Sequence, residues 1–274
     1  MAAASLLLCR PAHYTIAYEI NPWMHLRRQV RQQRAMRQWL ALYRTLTRQL
    51  HIDVRLIRPA PGFPDLVFTP NAGLVHQRTV LLSRFRHPQR QGEAAVFARY
   101  FESRGYRVIR PTGAAYFEGE GDALWMGTTL VLGFRFRSDA AIHTQLARAV
   151  RREVLPVELT DKRFYHLDTC FCPLDRGSAL WFPKAFDRYG RRVIERLVRE
   201  PIAVSEADAQ RFACNAIVVG NAVVLQTGCS KRLTSALERR GFRVYPVDLS
   251  EFLKAGGSAK CLALRLTHAD YLPK

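Results

Sequence analysis

The sequence predicts an α/β protein built as a ring of five repeats, each running strand, strand, helix, strand. Three observations predict it. Five segments begin alike: "VFTPNAGLV" from 67, "YFEGEGDALW" from 116, "FYHLDTCFC" from 164, "RFACNAIVV" from 211 and "SAKCLALRL" from 258. Each sets a polar or reactive residue just before or within a strand-like run, and these residues, Asn71, Glu118, His166, Asn215 and Cys261, are separated by 47, 48, 49 and 46 residues. Between the starts, the same order of patterns returns. A near-constant period in this range is the mark of a repeat architecture. Repeats set around an axis bring equivalent positions together.

The elements follow in order. "SLLLC" reads as a first strand; no basic residues precede its apolar patch and no clear cleavage site follows, which argues against a signal peptide. "HYTIAYEINPW", a long helix near 27–49 and the extended "IDVRLIRP" complete what the first unit shows. That unit lacks one strand, and the apolar run at Cys261 can supply it and close the ring. The other units carry one or two short strands, such as "AGLVHQRTVLLS" and "NAIVVGNAVVLQ"; the second is a hairpin with Gly-Asn at its turn. Four helices follow, in "RQGEAAVFARYFESRG", "DAAIHTQLARAVRR", "AFDRYGRRVIERLVRE" and "SKRLTSALERRG". Their apolar residues recur at i, i+3 and i+4, and Gly closes two of them. "YRVIRPT", "VLPVEL", "PIAVSE" and "FRVYPVDL" end the units as extended segments. Residues 1–274 read as a single domain.

Composition bounds the function. With 274 residues, 48% hydrophobic and 24% charged, the chain can bury a sizeable core. No apolar run approaches the roughly 20 residues a membrane span needs. The net charge of +19 suggests a polyanionic partner. The charge is 36 Arg against 6 Lys, scattered along the chain, and the densest cluster, "RRQVRQQRAMRQW", mixes in apolar residues at helical spacing. No RNP aromatics, zinc-finger spacing or basic region with heptads accompanies it, so nucleic acid is not the expected partner. Six cysteines are sparse for a disulfide scaffold of this length, and a reducing cytoplasm is the simpler setting. The "CFC" pair at 170 and 172 has no second pair and no nearby histidines, so no metal is expected.

The repeat positions carry the chemistry. Cys261 is a candidate nucleophile; a thiolate attacks an electrophilic carbon, and the two glycines ahead of it allow close approach of backbone and substrate. A packed core cysteine is the alternative, and the repeat register argues against it. His166 can pass a proton to a leaving amine and then activate water. Asp168, two residues on, faces the same side if the segment is a strand, where a carboxylate can bind a cation; the competing reading is a turn aspartate paired with surface arginines. Glu118 opens "EGEGD", which lacks the Lys-Ser/Thr of a phosphate loop. It can orient a histidine or clamp a guanidinium with two oxygens. Glu120 and Asp122 are its rivals.

These motifs resemble the guanidino-group-modifying, or pentein, superfamily of arginine deiminases, dimethylarginine dimethylaminohydrolases and amidinotransferases. "FEGEGD", "HLDT" and the late cysteine match in order and spacing. "INPWM", "PDLVFTPNAGLV", "LSRFRHPQRQGE", "FYHLDTCFCPL", "RFACN" and "EFLKAGGSAKCLALR" are most similar to the arginine dihydrolase domain of cyanobacterial arginine-catabolic enzymes, from about residue 6 to 266. In some of those enzymes a larger C-terminal region follows, which this sequence does not include.

The resemblance implies a five-bladed α/β propeller with pseudo-fivefold symmetry and its active site on the axis. It implies Cys261 as nucleophile, His166 as general acid/base, and Glu118 and Asp168 holding the guanidinium. Asn71 falls where deiminases typically carry an aspartate, and in the dihydrolases the asparagine goes with release of both guanidine nitrogens. Asn21 lines the pocket, and Arg90 and Arg137 bind the substrate carboxylate, with Arg135 a competitor for the last place. The reaction implied is arginine to ornithine, carbon dioxide and two ammonia, with no cofactor. The alternatives are a citrulline-forming deiminase, a dimethylarginine hydrolase, or a basic protein that binds without catalysis. A small-molecule substrate is the expected partner, and a homo-oligomer is compatible with the sequence.

Overall fold

In the computed structural model, which describes residues 5–267, the short apolar runs bounded by turn signals pair in five groups of three. The first group holds β1 (Ser5–Cys9) and β2 (Asp53–Ile57). The next holds β3 (Gly73–His76), β4 (Thr79–Leu82) and β5 (Arg107–Ile109). Then come β6 (Ala123–Met126), β7 (Thr129–Phe134) and β8 (Val154–Glu158), followed by β9 (Phe171–Pro173), β10 (Ser178–Trp181) and β11 (Glu200–Ala203). The last group is β12 (Ile217–Val219), β13 (Ala222–Gln226) and β14 (Arg243–Val247), and β15 (Leu264–Arg265) returns to the first sheet.

Every sheet repeats one pattern. The first strand lies antiparallel to the middle one and the third lies parallel to it, as in Val75↔Val80 and Val80↔Val108. Antiparallel neighbours need only a tight turn, while the parallel partner needs a crossover, which the helix supplies. In the last sheet the turn is Gly220-Asn221, with Gly220 at φ +58° and Val219 opposite Ala222. In the first sheet β15 pairs antiparallel with β1, Leu7 opposite Leu264, while β1 runs parallel to β2.

The five crossover helices are α1 (Gln32–Arg44), α2 (Glu93–Ser103), α3 (His143–Val150), α4 (Arg188–Leu197) and α5 (Lys231–Glu238). Each turns an apolar stripe onto a sheet. Ala35, Trp39 and Leu42 of α1 pack with Leu6 and Leu8, and Phe97 and Phe101 of α2 pack with Val80 and Leu82. Each such side chain contributes about 1.5–3 kcal/mol when fully buried. Asp187 caps α4 by accepting from the Gly190 and Tyr189 amides, and Ser230 caps α5.

The first helix departs from its expected span. It begins at Gln32 rather than near 27, and Thr45–Gln49 form a π-helical turn at its end. Its start is set by a distant group: Oε2 of buried Glu251 accepts the Arg31 amide at 2.9 Å and Arg31 stays extended at φ −87°, ψ 95°. The basic cluster thus lies only partly on a helix.

Candidate active site

Tight turns, not strand ends, hold the functional side chains. Thr69–Ala72, Gly119–Gly121, Leu167–Thr169 and Lys260–Leu262 are single 3₁₀ turns, each leading into the first strand of its sheet. This corrects the expected placement of His166 and Asp168 on one face of a strand. His166 is extended at φ −118°, ψ 152°, whereas Asp168 lies within the turn. The chain curls between them, so the two side chains reach different neighbours.

The repeat positions bond to one another across consecutive units. Asn71 Nδ2 donates to the Glu118 carbonyl at 3.2 Å, and Glu118 Oε2 lies 2.9 Å from His166 Nε2. Asn215 Nδ2 donates to the Asp168 carbonyl at 3.0 Å and to Cys261 Sγ at 3.0 Å. The Cys261 thiol donates to Asp168 Oδ2 at 3.3 Å.

The glycines of "EGEGD" serve close packing. Gly119 takes φ +67°, and a Cβ there would stand 2.4 Å from the Pro70 carbonyl oxygen. A Cβ on Gly121 would stand 2.5 Å from Asn71 Nδ2 and 3.4 Å from the His166 ring. Only glycine lets this turn seat Glu118 against its neighbours. The rivals of Glu118 are used elsewhere. Glu120 pairs with Lys260 at 2.9 Å, and Asp122 accepts from the Ser138 hydroxyl at 2.6 Å and the Leu167 amide at 3.1 Å.

A small cavity opens at the turns, with Asn21, Asn71, Arg90, Arg137, His166 and Cys261 among its walls. Glu118 and Asp168 stand directly behind His166 and Cys261. All eight expected residues therefore gather at one place. Arg90 is buried and bidentate on Glu93, at 2.9 and 2.8 Å, and its Nη1 donates to Asn71 Oδ1 at 2.8 Å. Arg137 is buried, 3.0 Å from Glu118 Oε2, and donates to the Ile20 carbonyl at 3.1 Å. Arg135 instead lies exposed and paired with Glu158 at 2.7 Å. Asn21 accepts from the Trp23 and Met24 amides and donates to the Ala255 carbonyl at 3.1 Å, so it shapes the rim of the cavity.

Burial sets the electrostatics. Burial alone would raise the Glu118 carboxyl, but Arg137 and the His166 hydrogen bond outweigh it and hold Glu118 well below the usual carboxylate range. Burial lowers His166 to about 4 despite the opposing pull of Glu118, so the imidazole is neutral near pH 7. With Nε2 given to Glu118, Nδ1 keeps the lone pair. Burial lifts Asp168 to about 7 against the attraction of Lys260 and the thiol hydrogen bond. Burial, and then Asp168, push the Cys261 thiol well up, so the sulfur keeps its proton near neutral pH.

Two groups escaped the sequence reading. Asn215 was recognised as a repeat position but given no role. Asp65 lines the cavity, buried, with Tyr18 donating to its Oδ2 at 2.9 Å and its Oδ1 unpartnered. It sits six residues before Asn71, off the repeat phase, and no periodic signal marks it. Tyr165 and Phe68 also stand in the walls.

The family model described as N,N dimethylarginine dimethylhydrolase, eukaryotic, matches residues 16–267. The bifunctional arginine dihydrolase/ornithine cyclodeaminase ArgZ of Synechocystis is 46% identical over 267 residues, covering 96% of this chain. The chain spans 37% of the length of that relative. The N(G),N(G)-dimethylarginine dimethylaminohydrolase of Mycobacterium tuberculosis is 39% identical, covering 93% of this chain and 83% of its own. The crystal structure of the N-terminal domain of ArgZ, an arginine dihydrolase from the ornithine–ammonia cycle in cyanobacteria, holds substrate in a cysteine-to-serine variant. It superposes with a TM-score of 0.93 at 44% identity, covering 97% of this chain and 98% of that one.

Proposed function

This chain belongs to the N,N dimethylarginine dimethylhydrolase family, and within that family we propose that it is an arginine dihydrolase, releasing ornithine, carbon dioxide and two ammonia. One observation carries the reading. A thiol, a neutral imidazole and carboxylates converge on one small cavity, and an amide, Asn71, stands there held between Arg90 and the Glu118 carbonyl. The N-terminal domain of ArgZ, an arginine dihydrolase that aligns along almost its whole length, supports it.

The steps follow from the charges. A guanidinium is a cation and a poor electrophile. Seated beside Asp168, it favours ionisation of both the carboxyl and the thiol, which burial alone disfavours. The thiol proton passes to His166, whose neutral imidazole is ready to take it. Cys261 sulfur bonds to the central carbon. His166 then returns that proton to one amino group, the C–N bond breaks and ammonia leaves, giving a cationic S-alkylthiouronium. Water, losing a proton to His166, attacks the same carbon. The C–S bond breaks, and a ureido product and the thiol result.

A deiminase stops there. In a dihydrolase the ureido group is attacked again by Cys261, a second ammonia leaves, and hydrolysis frees carbon dioxide and ornithine. The ureido group is neutral, and a cage of carboxylates holds it poorly. Asn71 offers an amide, able to donate and accept, where a carboxylate would only accept. Arg90 and Arg137 are the candidates for the substrate carboxylate; Glu93 holds one edge of the Arg90 guanidinium, so Nη1 is the group Arg90 has left to offer.

A second reading has its own support. The family model carries a dimethylarginine name, and a dimethylarginine hydrolase would use the same cysteine and histidine once. We place the protein in the cytoplasm: all six cysteines are unpaired, and no described helix is long and apolar enough to cross a membrane. The basic surface is read as solvated. The test is Cys261→Ser, which is expected to keep the fold and lose turnover, because a hydroxyl carries little anion near neutral pH. Turnover retained at the wild-type rate would overturn the assignment.

A further inference from the structure

We propose that Asn215 is the positioning residue of Cys261: its carboxamide builds the turn that carries the nucleophile and donates the hydrogen bond that the sulfur keeps after its proton has gone. The proposal rests on Cys261 being the nucleophile.

Asn215 is fully buried, and its amide uses all four of its bonds. Oδ1 accepts the Ser258 amide at 3.0 Å and the Cys261 amide at 3.1 Å. Nδ2 donates to the Asp168 carbonyl and to Cys261 Sγ, both at 3.0 Å. The Asn215 carbonyl also accepts the Lys260 amide at 3.1 Å. Three backbone amides of the nucleophile turn thus hang on one residue 46 positions away.

The orientation of the amide is compelled. A flipped carboxamide would set its NH₂ against two backbone N–H groups and its oxygen against the Asp168 carbonyl. The N–H therefore has to face the sulfur. In the resting site the thiol gives its own hydrogen to Asp168 Oδ2. Once that proton leaves, the Asn215 N–H meets an anion, and a hydrogen bond to a charged group is about twice as strong as a neutral one. The strengthening is largest where water is excluded. Asn215 thus favours the attacking form of the sulfur over its resting form, which separates it from a residue that only fills space.

The probe is 2-chloroacetamidine, whose amidinium stands in for the guanidinium. The Cys261 thiolate forms an S–C bond with it and chloride leaves, with no turnover needed. The rate of Cys261 labelling, read on its own peptide by mass spectrometry, is followed against pH. Asn215→Asp keeps the shape and the acceptors but sets a carboxylate oxygen against the sulfur. The pH midpoint of labelling is expected to rise by about one unit or more, a tenfold slower reaction at a fixed pH below it. Asn215→Ala, which removes the donor without adding charge, is expected to shift in the same direction. A residue that only supports the fold would change stability and leave the midpoint in place. A wild-type midpoint in whichever variant folds overturns the proposal. Labelling of the wild type with no ammonia released from arginine would overturn the dihydrolase reading and leave this one standing.

Discussion

Arg90 spans two partners in the buried wall of the site, donating through Nη1 to Asn71 Oδ1 at 2.8 Å while its other edge makes two bonds to Glu93. Glu93 is wholly buried and lies near Asp65, which stands 3.8 Å from Arg90 Nε. Removing Arg90 strands two carboxyls. Arg90→Ala is expected to cost about 3–5 kcal/mol of stability. The double variant Arg90→Met/Glu93→Leu should recover much of that loss, since it removes the charge that is left behind. Denaturant unfolding of the two decides it, and a single variant as stable as the double would contradict the pairing. Where Arg90→Ala folds, its preference for arginine over agmatine, which has no carboxylate, is expected to fall; an unchanged preference would take Arg90 out of carboxylate binding.

The pH dependence of binding follows from Asp168. Its carboxyl, lifted by burial to about 7, is ionised only above that value. A cationic ligand binds the ionised form and pulls its pKa down. Affinity for arginine, measured calorimetrically on Cys261→Ser to prevent turnover, is therefore expected to fall as pH drops below 7, by at most about tenfold per unit for one proton. In folding the sign is the reverse of the usual aspartate. The folded state holds this proton more tightly than the unfolded chain, so Asp168 contributes stability at low pH that is lost as pH rises toward 7. Arginine affinity that is flat between pH 5.5 and 8 would contradict this part of the account.

Gly121 offers a steric test. Its backbone does not require glycine, but an added methyl would stand 2.5 Å from Asn71 Nδ2. Asn71 cannot yield freely, because Arg90 and the Glu118 carbonyl hold both ends of its amide. Gly121→Ala is expected to lower kcat by about tenfold or more while the protein still folds. A kcat within twofold of wild type would show that the Asn71 orientation does not matter.

Asn71→Asp tests the charge argument. An added carboxylate favours the guanidinium and penalises the neutral ureido group, so the product is expected to shift toward citrulline, or activity to be lost. Chromatography of the products decides it. Complete conversion to ornithine would contradict this account of Asn71 while leaving the reaction class in place.

Much of the fold was legible because the repeat is written in residues that do not depend on their neighbours. The apolar period of the helices and the Gly220-Asn221 turn are local, and the 46–49-residue spacing needed only counting. What escaped depends on contacts between units. The start of α1 is fixed by Glu251, some 220 positions away, and nothing near Arg31 signals it. The 3₁₀ turns that hold Asn71, Asp168 and Cys261 read as strand entries because apolar residues follow them directly. The site residues were found through register, so Asp65, which lies off the register, was not. Asn215 was in register, but its place beside the sulfur depends on the last unit meeting the first where the ring closes.

The central claim is that one cysteine attacks the same carbon twice, and the ammonia released per arginine consumed tests it most directly. Purified protein is incubated with arginine to completion, ammonia is assayed enzymatically, and the amino acid product is identified by chromatography. Two ammonia per arginine, with ornithine as the product, is the expected result: the neutral ureido intermediate stays in a site where Asn71 replaces a carboxylate. One ammonia per arginine with citrulline accumulating would contradict the claim and leave a hydrolase that acts once.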